Sequence, residues 1–309
     1  MKIFHKVLFT LLLLETFSLY GQDKIDSLSK KDIIAAINEY QKLQSEENLK
    51  INQYLELAGF YAQIKKSDSA SLYLDKVWEI DSIFSDIKSL LRVNLYYITK
   101  NNEDFWDNWL MRVLENYDKY ISPIKNYDYC KALLNMRIRD ASFYNLVYYS
   151  EQVNGKFSPT TIAIWELKEQ ISYNNIIQLD NLVKEYGWPL FSEYGYFAPI
   201  AVSIVQHADL NSQKRYLPII TEAYNQGEAY FNWVAMLTDR ILLREKKPQI
   251  YGSQSIWNPH LGRYVLYEVE DPKATNELRI KYKIGEPLSE ELFENMYNPT
   301  NYMTKIEKH

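Results

Sequence analysis

The chain has 309 residues, a formal net charge of −5, 27 tyrosines, 7 tryptophans and one cysteine. Without a basic block it offers little to a nucleic-acid backbone, which is held by clustered Lys and Arg. A single thiol cannot close an intramolecular disulfide, so stability has to come from an apolar core, and this length can bury one large or two ordinary domains.

Lys2 and Lys6 precede the run "VLFTLLLL", which Glu15 interrupts well short of the ~20 apolar residues of a membrane helix. Residues 1–21 therefore read as a secretory signal peptide, cleaved after Ser18 or after Gly21. The mature protein is expected to be exported, periplasmic or secreted, with no membrane span once the signal is removed.

The segment "DIIAAINEYQKLQ" sets Ile33, Ile34, Ile37 and Tyr40 at helical spacing. In "YLELAGFYAQIKKSDSASLYLDKVWEID", Tyr54, Leu57, Ala58, Tyr61, Ala70 and Leu74 follow the small-and-large pattern of a tetratricopeptide repeat, with "KKSDS" as the turn and Ser67 or Asp68 as the cap. Small residues let two helices approach and large ones fill the gap between them. A single repeat leaves an apolar face open, so flanking helices around 31–45 and 85–99 are required to cover it. Residues 22–120 thus resemble a short tetratricopeptide-like array. "NNEDF" reads as a polar turn before a helix containing "WDNWLMRVLENY".

From 127 to 148 the absence of Pro and Gly predicts another helix, carrying Arg137 and Asp140 on one face where they can pair. The break "NGKFSP" leads into "TTIAIWELKEQISYNNIIQLDNLVKEYG", one long or two shorter helices stopped by Gly187 and Pro189. A helix from about Phe197 to His207 turns His207 toward the interior with Ile200 and Ile204, while Asp209 suits the cap of the next helix. Asp239 falls on the apolar face of "AYFNWVAMLTDRILLREKK" and must meet a cation or several donors; Arg137, His207 and the following hairpin are candidates. That hairpin, "PQIYGSQSIWNPHLGRYVLYEVED", reads as strands 249–257 and 263–269, which puts Gln249, Tyr251 and Ser253 on one face and Gln254 on the other unless Gly252 makes a bulge.

The ordered motifs "NNIIQLDNLVKEYGWP", "VQHAD", "AMLTDR" and "PQIYGSQ" resemble the bacterial domain of unknown function family 6624 over roughly residues 130 to 290. The resemblance implicates Asn175, Gly187, Trp188, Pro189, Gln206, His207, Asp209, Asp239, Arg240, Gln249, Tyr251, Gly252 and Gln254, with Ser253 standing where the family more often has threonine. It supplies no activity, since the family is itself uncharacterised. The predicted architecture is mainly α: tetratricopeptide-like helical hairpins over 22–120, an α-helical domain with one β-hairpin over 125–290, and a tail over 291–309.

Three functions fit these residues. The first is a cell-envelope binding module whose polar and aromatic pocket, formed by Trp188, Gln206, Arg240, Gln249, Tyr251 and Gln254, takes a small polar ligand, a peptide or an envelope protein. The second is a hydrolase or transferase with His207 and Asp239 as a catalytic acid/base pair. The third is a purely structural network of buried hydrogen bonds. No cofactor is expected, since there is no glycine-rich phosphate loop. No metal is expected either, because one interior histidine with scattered carboxylates makes a poor ligand set.

Overall fold

The structure is a computed structural model that describes residues 22–46, 49–82, 90, 95, 98–99, 103–258 and 263–297. The expected signal peptide, most of the expected helix at 85–99, the hairpin turn beyond Asn258 and the tail beyond 297 lie outside the described residues. The fold is mainly α with one two-stranded antiparallel hairpin. It divides into two compact units, the first ending at Gly187 and including 193–200, the second formed by 188–192 and the residues from 201 onward.

In the first unit, α1 (Gln22–Glu46) buries Ile33, Ala36, Ile37 and Tyr40 but leaves Ile34 exposed. The expected stripe is therefore shifted by part of a turn, with Ala36 buried in place of Ile34. Helices α2 (Ile51–Gln63) and α3 (Ser67–Ile80) form a hairpin. Tyr54, Leu57, Ala58 and Tyr61 of α2, with Ala70, Tyr73, Leu74 and Val77 of α3, are buried, and the Tyr61 and Tyr73 rings stack at 5.3 Å. Lys65 takes the left-handed conformation, so the chain turns early and Lys66 occupies the cap position with no side-chain hydrogen bond. Neither Ser67 nor Asp68 caps the helix as expected. Residues Glu103 to Phe105, expected in a turn, already belong to α4 (Glu103–Tyr120).

Two 28-residue helices follow, α5 (Tyr127–Asn154) and α6 (Pro159–Tyr186). Their starts are locally encoded: Asn126 and Ser158 accept hydrogen bonds from backbone amides of the first turn, and Pro159 opens α6 at a position where its missing N–H has no cost. The long-or-two alternative resolves to one uninterrupted α6, ended at Gly187 with φ 85°. Between α5 and α6, Phe143, Val147 and Ile164 form an apolar cluster, bordered by buried polar groups. Ser150 and Thr161 hydroxyls bond at 2.7 Å, and Asn175 donates to the Met136 carbonyl at 3.1 Å. Asp140 is fully buried and lies 2.9 Å from Arg137 and 2.8 Å from Lys168, itself 5 % exposed. The expected Arg137–Asp140 pair is thus formed, with a second cation added from the facing helix. Lys168 Nζ also donates to Ser172 Oγ at 2.8 Å.

After α6 come a short helix α7 (Phe191–Tyr194), a 3-10 turn (Gly195–Phe197) and α8 (Ala198–His207), of which residues 193–200 belong to the first unit; the second unit takes the rest of α8, then α9 (Leu210–Asn225) and α10 (Phe231–Arg244). Asp209 caps α9 as expected, accepting from the amides of Asn211 and Ser212 and from the Ser212 hydroxyl. Strands β1 (Ser255–Asn258) and β2 (Arg263–Leu266) pair from Ser255↔Leu266 to Asn258↔Arg263. Helices α11 (Pro272–Tyr282) and α12 (Glu290–Glu294) follow, capped by Asp271 and Ser289. The strands are shorter than the expected 249–257 and 263–269: residues 249–254 are not strand, apart from one bridge between Gln249 and Val269. No helix among the described residues is long and apolar enough to cross a membrane.

The buried charges between α5 and α6 yield a first prediction. Asp140→Asn leaves Lys168 buried without its anion, so urea denaturation should show a loss of about 3–5 kcal/mol. A change under 1 kcal/mol would mean that Lys168 finds water or another partner.

Candidate functional site

Asp239 lies on α10 between Ala235 and Ile241, all buried, and is itself 0 % exposed. A bare carboxylate there would cost several kcal/mol. It is not bare. Oδ1 accepts from the backbone amides of Ile250 (2.9 Å) and Tyr251 (3.0 Å). Oδ2 accepts from the backbone amide (2.9 Å) and the hydroxyl (2.7 Å) of Ser253. Burial pushes the carboxyl above its ordinary range while these four donors pull the other way.

This explains the missing strand. The sequence alternates as a strand does, but three amides of 250–253 turn inward to one carboxylate, so they are not available to a ladder. Gly252 supplies the necessary left-handed corner at φ 61°, and a Cβ there would stand 2.6 Å from Leu288 Cδ1. The expected shared face of Gln249, Tyr251 and Ser253 therefore does not exist.

The turn is held from outside as well. Gln249, 0 % exposed, donates through Nε2 to the carbonyls of Gln254 (3.1 Å) and Tyr267 (2.8 Å), and its Oε1 accepts from the Gln254 amide at 2.8 Å. Thr275 Oγ1 donates to the Ile250 carbonyl at 2.8 Å, and Arg279 donates to the carbonyls of Tyr251 and Glu286. Tyr251 packs edge-on against Phe231 with ring centroids 5.5 Å apart, and burial raises its phenol's pKa.

A second set of bonds runs from the turn to the end of α8. Gln254 Oε1 accepts from Arg240 Nη2 at 2.9 Å, and Arg240 Nη1 donates to the Gln206 carbonyl at 3.3 Å. That carbonyl also accepts from Gln213 Nε2 at 2.8 Å, and Arg244 donates to the carbonyl of Ala208. The last carbonyls of a helix have no partner within it, and here α9 and α10 provide the donors. Gln206 is 5 % exposed, and among the described residues its side-chain Nε2 and Oε1 have no hydrogen-bond partner. Gln213, 0 % exposed, keeps its Oε1 in the same condition.

The structure thus brings Asp239, Arg240, Gln249, Tyr251 and Gln254 together around one turn, with Gln206 joined through its carbonyl. His207, half-buried as the last residue of α8, is not among the donors to Asp239. Trp188 packs on Tyr216 at 5.5 Å. Arg137, weighed as a partner of Asp239, is committed to Asp140. Four residues were missed: Gln213, Arg244, Thr275 and Arg279. Gln213 stands seven residues after Gln206, a spacing that could have flagged it only once the helix break at Asp209 was fixed. The other three carry no local signal. Among the described residues, no three His, Cys, Asp or Glu side chains are gathered so as to hold a metal ion.

These features define a helical domain organised around a carboxylate-anchored turn. Residues 158–298 match the model of the family of unknown function DUF6624, and the matched stretch contains the whole turn and the end of α8. No curated protein and no solved structure gives a significant match.

Asp239→Asn keeps the shape but points an amide NH₂ at backbone donors. It should cost about 2–4 kcal/mol in chemical denaturation, with faster hydrogen exchange at Ile250, Tyr251 and Ser253. Unchanged exchange at those amides would show that the turn stands without the carboxylate.

Proposed function

We propose that the DUF6624 domain is a non-catalytic binding module of the cell envelope that takes a polar ligand. The observation that carries this reading is the Gln206 side chain, a 5 % exposed amide with neither end paired, beside a network in which Asp239 and Gln249 are fully engaged. Leaving a buried polar group unpaired costs about 1–3 kcal/mol. A buried amide without a partner from the protein calls for one from outside the chain, a ligand group or a water.

Catalysis by a His207–Asp239 pair is less favoured. The four hydrogen bonds to Asp239 come from the 250–253 segment, and its carboxylate is sealed from solvent. A general base needs a lone pair within reach of a substrate proton. The nucleophile candidates are similarly occupied: the Ser253 hydroxyl donates to Asp239, and burial pushes the Cys130 thiol up, away from the thiolate form. Export rests on the charged and apolar pattern of residues 1–21, and the envelope assignment rests on it in turn.

The stability of Gln206→Met tests the proposal. Methionine keeps the length and removes both unpaired groups, so the variant should gain about 1–2 kcal/mol in urea denaturation. A loss of that size would make the amide a structural group and sink the binding reading.

A further inference from the structure

We infer that two copies of this chain pair through the outer face of α6, lying antiparallel about a two-fold axis. The inference concerns a surface of the first unit and is independent of the ligand reading.

Helix α6 turns Ile164, Lys168 and Asn175 toward α5, and its opposite side faces solvent. That side carries Glu166, Tyr173, Ile177 and Lys184, all exposed. Glu166 and Lys184 stand five full turns apart at 3.6 residues per turn, so the two charges lie on one line along the helix. Tyr173 and Ile177, 59 % and 43 % exposed, sit between them and within about 20° of that line. From Glu166 the four follow at steps of seven, four and seven residues. The order of steps is the same read from either end.

An antiparallel copy centred on position 175 therefore sets each Tyr173 beside Ile177 of the other copy and each Glu166 beside Lys184 of the other copy. Every contact is then made twice, as a two-fold interface requires. Other arrangements lose the charge match. Parallel helices would oppose Glu166 to Glu166 and Lys184 to Lys184. Sliding the antiparallel pair until Ile162 meets Ile177 would bring the two Glu169 carboxylates together near the axis and leave Lys184 without a counterpart. The apolar centre supplies the contact, and the flanking charges choose its direction and register. A helix of 28 residues is about 42 Å long, so one helix pair falls below the ~1,600 Å² of a standard interface. The pairing is accordingly weak and reversible, at micromolar concentrations.

Sedimentation equilibrium of the mature full chain, from low to high micromolar concentration, tests this. A monomer–dimer equilibrium is expected. Lys184→Glu turns both attractive pairs repulsive and should raise the dissociation constant about tenfold or more. Adding Glu166→Lys to that variant restores both pairs with their signs exchanged, and the dimer should return. Because these side chains are exposed, far-UV circular dichroism and the urea midpoint should stay unchanged, which separates lost pairing from lost folding. Should Lys184→Glu not fold, Glu166→Lys makes the same reversal from the other end, with the same double swap as its rescue. A monomer at every concentration would overturn the inference and leave the face to a different partner. So would assemblies larger than a dimer, a dimer that Lys184→Glu leaves intact, or a folded double swap that stays monomeric.

Discussion

The carboxylate of Asp239 is the constraint from which the second unit is organised. A buried charge is tolerated only when enough donors surround it, and here all four come from within four consecutive residues, three from the backbone and one from the Ser253 hydroxyl. The segment 250–253 therefore cannot continue the hairpin. It curls around the carboxylate, and Gly252 meets the conformational demand. Because Gln249 and Arg279 brace the same few residues from other sides, α10, the start of the hairpin and α11 are tied to one point. Hydrogen bonds to an ionised acceptor are stronger than neutral ones, so this point holds where an apolar contact would slide.

The first unit solves the same physical problem differently. Asp140 is as deeply buried as Asp239 but is matched by Arg137 and Lys168 from two helices. Cation pairing fixes the register between α5 and α6, since a shift of one turn would separate the charges. Backbone donors instead fix the conformation of a loop. Regular helices need their position set; an irregular segment needs its shape set, and each carboxylate serves the need of its surroundings.

How much of this was legible depended on how local the cause was. The Asp209 cap and the stop at Gly187 lie within a few residues of what they control, and patterns in the sequence report them. The Arg137–Asp140 pair is likewise a matter of spacing on one helix. The residues 249–254 were misread because "QIYGSQ" does alternate as a strand; the override comes from a carboxylate ten or more residues earlier, through contacts that periodicity does not encode. The phase of α1 was misjudged by a small angle because Ile34 and Ala36 flank the Ile33, Ile37 and Tyr40 stripe on opposite edges, and Ala36 is the one that is buried. Of the site, Asp239's need for donors could be deduced from its apolar face. Gln213 could not be found in this way, since its importance comes from reaching a carbonyl at the end of another helix.

The contrast between engaged and unengaged groups gives the site its meaning. Here Gln249 uses its amide three times and Asp239 accepts four bonds, while Gln206, linked to that network through its carbonyl and Arg240, has nothing on its side chain. Backbone and side chain of one residue are thus treated oppositely: the carbonyl is held by two donors, which fixes where the side chain starts. A side chain held in this way has less freedom left to lose when it is ordered further. The rigid turn and the unpaired amide are two parts of one arrangement, the first limiting the motion of the second.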